Sequence, residues 1–166
     1  LGLFSIIILA AFTAEAQTLK FGHINSDELI QAMPEFDSAN VKLEKLQKEL
    51  MNTLELMSVE LNNKSETYNK ESKNYTDLVR QTKEQELVDL NRRIQDFQTN
   101  AQSQFQNRQI ELLQPIYAKV DKALKDLGKE NGFVYIFDIA KGGLVFYDET
   151  KSTNVMPLAR AKLGLK

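Results

Sequence analysis

The sequence predicts an α+β fold: a small β-sheet body that carries one long antiparallel α-helical hairpin. Three observations predict it. Between Phe36 and Leu127 there is no glycine and the only proline is Pro115, while large apolar residues return at alternating steps of three and four. The stretches on either side carry short alternating runs of aromatic and β-branched residues. The remaining glycines and prolines fall outside that central stretch, so the chain turns in its flanks.

The amino terminus comes first. Leu3 to Phe12 is almost wholly apolar and is followed by Ala14-Glu15-Ala16, small residues at the two positions a signal peptidase reads. A signal peptide over 1–16, cleavage after Ala16 and an exported mature chain from Gln17 are expected. The absence of an initiator methionine and of a basic start implies that a few residues precede Leu1. An uncleaved membrane anchor is the alternative, but the apolar stretch is short of the roughly 20 residues that span a bilayer.

Leu19 to Asn25 reads as a strand, with Leu19, Phe21 and His23 on one face and Gly22 and Ile24 on the other. Asn25 and Glu28 form a capping-box pattern for a short helix through Leu29 and Ile30. Met33-Pro34 ends it, and Pro34 suits the first position of the next helix. The first arm carries Ala39, Leu43, Leu46, Leu50, Leu54 (or Met51), Met57, Leu61, Tyr68 and Tyr75. The second carries Leu87, Leu90, Ile94, Phe97, Ala101, Phe105, Leu112, Ile116, Val120, Leu124 and Leu127. Each run of about 45 residues makes an arm of about 65 Å. The reversal is expected between Leu78 and Glu86, with Gln81-Thr82 as one candidate turn, and Pro115 should bend the second arm.

Gly128 and Gly132 bracket the end of the second arm. Phe133 to Ile139 and Leu144 to Tyr147 then suggest a β-hairpin around Lys141-Gly142-Gly143. Ser152 to Asn154 can cap a last helix that runs to about Leu163, before Gly164. The resulting organisation is a body built from 17–35 and 128–166, with 36–127 as the arm.

Composition excludes several functions. The 21 basic and 23 acidic residues leave a net charge of −2, and the arms hold 14 Lys/Arg against 15 Asp/Glu, so no field of one sign draws in nucleic acid. Lys42, Lys45 and Lys48, and the Arg92-Arg93 pair, read as solvated flanks of a coiled coil. There is no cysteine, hence no disulfide, thiol catalysis or cysteine-ligated metal. The single histidine, His23, sits in a strand pattern and reads as packed or rim-exposed. Asp138, Asp148 and Glu149 flank a turn with no nucleophile beside them, and no glycine-rich phosphate loop is present. No enzyme, cofactor or metal protein is predicted.

The body is too small to bury itself. About 60 residues without disulfides make a marginal core, and the Phe133 to Ile139 strand is apolar on both faces. A symmetric oligomer that shares one core solves both problems. Its candidate residues are Phe21, Ile24, Phe133, Tyr135, Ile136, Phe137, Val145 and Phe146. In the arms, Asn62 to Asp77 offers only Tyr68 and Tyr75 to a seam, so the distal third should bend and splay.

Taken in order, these features resemble the Skp/OmpH family of periplasmic chaperones, in its version from Bacteroidetes-type bacteria. The residues that carry the resemblance are Phe21-Gly22-His23-Ile24-Asn25-Ser26-Asp27-Glu28 leading to Met33-Pro34-Glu35, the helical hairpin, Phe133 to Phe137, Val145-Phe146-Tyr147, and Thr153-Asn154-Val155 with Leu163-Gly164. The resemblance implies a homotrimer with a small β-barrel body, whose hairpins hang around a cavity that holds an unfolded outer-membrane protein. It implies a periplasmic holdase that works without ATP.

Family members commonly have basic arms. This chain departs from that, so contact with a membrane surface is expected to be weak, and apolar contacts and enclosure must carry more of the binding. Candidate client contacts are Met51, Met57, Tyr68, Tyr75, Phe97 and Phe105. Each can equally pack the hairpin seam, Met57, Phe97 and Phe105 most of all. A structural coiled-coil adaptor or spacer in envelope assembly is the alternative. It would need an apolar stripe continuing to the tip, and Asn62 to Asp77 lacks one.

Overall fold

The computed structural model describes residues 19–165; the expected signal peptide and its cleavage site lie outside the described residues. In order, the chain forms β1 (Lys20–Ile24), α1 (Ser26–Gln31), α2 (Pro34–Glu71), a 3₁₀ turn (Ser72–Asn74), α3 (Asp77–Glu130), β2 (Phe133–Asp138), β3 (Ser152–Asn154) and α4 (Met156–Leu163). It is an α+β fold in which a three-stranded sheet sits at the base of a long pair of helices.

The sheet order is β2-β1-β3, with β1 parallel to both neighbours. A parallel pair needs a crossover, and the whole helical hairpin is the crossover between β1 and β2. A register shift between Lys20 and Phe21 pairs Lys20 with Phe133 but Phe21 with Tyr135. The extra residue is Val134, and it changes which side chains share a face. Phe133 and Ile136 both pack against the core, whereas the Tyr135 ring stacks between those of Phe21 and Phe137 on the other face. Strict alternation places Phe133 with Tyr135 and Phe137, and the bulge overrides it.

The core lies on the covered face of the sheet. Ile24, Leu29, Ile30, Met33, Val155 and Ala159 meet the lower ends of the two long helices there. Ile116, Val120, Ala123 and Leu127 are buried at steps of four, three and four, one stripe of α3, so this helix continues into the body while α2 starts at its edge. Asn25 caps α1, its side chain accepting from the Glu28 N–H at 3.1 Å, and Pro34 opens α2. The helix α3 runs through Pro115 and through Gly128 to end at Glu130, with Gly132 at φ +68° just beyond.

Two expectations are corrected. The reversal lies at Ser72 to Thr76 and not between Leu78 and Glu86. Thr76 is extended and its Oγ1 accepts from the Val79 N–H, so this N-cap starts α3 before the expected turn is reached. The β-hairpin around Lys141-Gly142-Gly143 does not form, and Leu144 to Tyr147 is not a strand. Beyond β2 the chain is drawn towards α1 instead of folding back. The Ile139 N–H donates to the Ile24 carbonyl at 2.8 Å, the Ala140 N–H donates to Asp138, and Lys141 pairs with Asp27 at 3.6 Å. The other edge of β1 is taken by Ser152–Asn154, which forms β3 before the Asn154 side chain accepts from the Met156 N–H at 2.9 Å, at the start of α4.

Candidate functional site

Two surfaces stand out, the arm and the open face of the sheet. The arm has a seam but little interior. Two helices alone leave most seam residues half solvated, and along α2 only Ala39 and Leu43 are buried. Along α3 the buried residues beyond the body are Leu90 and Ile94. Cross-arm pairs run Glu35 with Lys119, Lys64 with Glu86 and Tyr68 with Glu84, a register that sets Leu61 opposite Leu90.

The tip is closed by tyrosines. The Tyr68 hydroxyl donates to Glu84 across the arm, and the Tyr75 hydroxyl donates to Glu71 at 2.9 Å. The two rings lie 6.3 Å apart. Each hydrogen bond to a carboxylate holds its phenol above the usual tyrosine range. Of the six candidate client contacts, Met57, Tyr68, Tyr75, Phe97 and Phe105 are half-buried, and Met51 is exposed. Sequence reasoning misses Val41, Leu56, Leu78, Val88 and Ile110, which are all exposed. Their signal is present: each is apolar but out of phase with the seam.

Charge along the arm is neutralised locally. Lys45–Glu49, Lys70–Glu66, Arg92–Asp89 and Arg108–Glu111 are ion pairs three or four residues apart on one helix. At the base, the Lys119 hydrogen bond holds the Glu35 carboxyl below its ordinary range.

The open face of the sheet is aromatic. Phe21 stacks on Tyr135 with ring centroids 6.2 Å apart, and Tyr135 on Phe137 at 5.8 Å. Tyr135 is 58% exposed, and the irregular stretch after β2 leaves Phe146 81% exposed and Val145 fully so. The eight candidate body residues therefore divide: Ile24, Phe133 and Ile136 belong to the chain's own core, while Phe21, Tyr135, Phe137, Val145 and Phe146 do not. His23 is buried, with its Nδ1 2.9 Å from Ser152 Oγ and its ring 4.6 Å from that of Tyr147. That pairing is structural and fixes β3 beside β1.

The family model described as outer membrane protein (OmpH-like) matches residues 20–161, which takes in both body and arm. The chain belongs to the OmpH-like family. No individual curated protein gives a match. The description of the matched family names no catalytic activity, and among the described residues no group of three or more His, Cys, Asp or Glu side chains could hold a metal ion. No described helix is long and apolar enough to cross a membrane.

Proposed function

We propose that this OmpH-like protein is an ATP-independent periplasmic holdase that binds unfolded outer-membrane β-barrel proteins and prevents their aggregation. The observation that carries the reading is the arm itself: a hairpin with a half-solvated seam and scattered exposed apolar side chains, in a chain of this family. Such an arm offers many weak contacts. Their number holds an unfolded chain, and no single one traps it. A client strand with alternating apolar side chains aggregates when it meets its own kind, and spaced contacts along the arm keep strands apart.

The working unit is a homotrimer. A sheet with an exposed aromatic face and a free outer edge on β2 is an incomplete body, and copies of the same chain supply complementary surface. Three arms then surround a shared space for the client. Insertion of the client into the outer membrane is the stronger sink for its apolar surface, so release needs no nucleotide.

The test is the aggregation of an unfolded outer-membrane barrel protein diluted from urea, followed by light scattering with and without the mature protein. Suppression near one trimer per client, without ATP or metal, is expected. Failure to suppress, together with tight binding of one folded envelope protein, would replace the holdase by a structural adaptor.

A further inference from the structure

Asn131 and Gly132 join the end of α3 to the start of β2, and they are the chain's single Asn-Gly pair. This dipeptide is among the most labile in any protein, because glycine has no side chain to hinder its backbone nitrogen from closing a five-membered ring on the carboxamide before it. Both residues are exposed, so water and hydroxide reach them.

The closed fold sets the reacting groups aside. Asn131 has φ −103° and ψ 4°, which turns the Gly132 nitrogen away from the Cβ branch that carries the carboxamide. The Gly132 N–H is engaged, donating to the Lys129 carbonyl at 3.4 Å. The carboxamide is engaged too, its Nδ2 donating to the Leu127 carbonyl at 2.9 Å and holding it back over the helix. From β1, Lys20 Nζ donates to the Asn131 backbone carbonyl at 3.2 Å and lies 4.3 Å from the centre of the Phe133 ring. Both α3 and β1 therefore pin the joint.

We infer that Asn131-Gly132 is a latent modification site, held inert by the closed body and converted irreversibly in protomers whose body has opened. In the opened chain the Gly132 nitrogen gives its proton to hydroxide and attacks Asn131 Cγ. The new C–N bond forms as the Cγ–Nδ2 bond breaks, and ammonia leaves. Water then opens the cyclic imide at either carbonyl, which returns a proton to the nitrogen and leaves aspartate or isoaspartate. The balance is one water in and one ammonia out, with no oxidation or reduction.

Either product impairs reclosure. Both lack the Nδ2 donor to the Leu127 carbonyl, and both put a new carboxylate at the C-terminal end of α3, where the helix dipole disfavours negative charge and Glu130 already stands. Isoaspartate also routes the backbone through Cβ, adding a methylene just ahead of Phe133, whose pairing with Lys20 begins the register of β1 and β2. The joint thus records whether a body has stayed closed.

The test is incubation of the protein at mildly alkaline pH, in native buffer and in guanidinium chloride, with the change of Asn131 from amide to acid read by peptide mass spectrometry. Conversion is expected in guanidinium and should be about ten-fold or more slower in native buffer, since chemistry confined to the opened state tracks its population. The converted protein is then returned to native buffer beside an Asn131→Gln protein carried through the same treatment, whose longer side chain would have to close a six-membered ring. Compared with its own untreated form, the converted protein should melt at a lower temperature and the Asn131→Gln protein should not. Conversion as fast in native buffer as in guanidinium, or no conversion in guanidinium, would overturn the latent site. A converted protein that melts like its untreated form would overturn the irreversible mark.

Discussion

The Ser26 hydroxyl donates to Asp138 at 2.5 Å, joining the first turn of α1 to the end of β2 across 112 residues of sequence. The same carboxylate accepts from the Ser26 and Ala140 N–H groups, each at 3.1 Å. This one side chain closes the body after the chain has travelled out along the arm and back. Burial acts to raise its pKa, but the Ser26 hydroxyl, the two N–H groups and Lys141 outweigh burial and hold it below the ordinary aspartate range.

A pH dependence follows from that sign. A carboxyl whose folded pKa is depressed contributes stability that is present above its unfolded value, about 3.9, and is lost as pH falls through the lower folded value. Asp138→Asn should therefore flatten the acid limb of the stability curve below about pH 4. Asp138→Ala also leaves the buried Ser26 without its acceptor, and should cost about 1–3 kcal/mol at neutral pH. Thermal melts of both variants from acid to neutral pH check this. An unchanged acid limb in Asp138→Asn would remove Asp138 from the account.

Gly22 is held to glycine by space. A Cβ there would lie 2.9 Å from Val155 Cγ1 and 3.2 Å from the Phe133 ring. Val155 is fully buried and cannot give way. Gly22→Ala should destabilise the body by about 1–3 kcal/mol through overpacking, read as a lower melting temperature with the arm helices retained. A melt equal to the wild type would show that Val155 and Phe133 relax freely.

The two faces of β2 separate folding from assembly. Ile136 packs against the chain's own core, whereas Tyr135 next to it is exposed on the aromatic face. Ile136→Asp should destabilise the body, because it sets a charge against the apolar core that the half-buried Ile136 packs on. Tyr135→Glu should leave the protomer folded and lower the assembled mass measured by light scattering. A Tyr135→Glu protein that keeps the full oligomer mass at micromolar concentration would count against assembly through this face.

Much of the fold is legible in the sequence because its signals are local. The lack of glycine with a heptad-like apolar return marks the hairpin, Asn25 with Glu28 marks the first cap, and Pro34 marks the start of α2. Periodicity misplaces the tip although Thr76-Asp77 is an N-cap signal, since the apolar seam resumes only at Leu87 and draws the expected turn towards it. The strand pairing is not legible. Leu144 to Tyr147 alternates like a strand, but the hydrogen bonds of Asp138, Ile139 and Ala140 send the chain towards α1, and a short Ser-Thr-Asn segment takes the place beside β1. The bulge at Val134 likewise depends on the partner strand, so no pattern within β2 announces it. Along the arm, periodicity finds the seam and passes over the outward apolar residues, of which Leu56 and Leu78 are among the most exposed.

The tip hydrogen bonds give the arm an end that can be removed as a unit. Residues 63–92 contain Tyr68, Tyr75 and their carboxylate partners, and the Lys64–Glu86 pair shows that the two helices face each other there. The core residues of the body all lie outside this segment. Replacing 63–92 with a short glycine-containing turn should therefore leave the assembled mass and the melting of the body unchanged. It should remove most of the protection of an unfolded barrel protein, since the distal contact surface is gone. Because ion pairs neutralise charge locally, protection by the full-length protein should change little from low to moderate salt. Equal protection by the shortened protein would place client binding on the proximal arm and body alone, and a steep fall with salt would mean that charge, not apolar contact, holds the client.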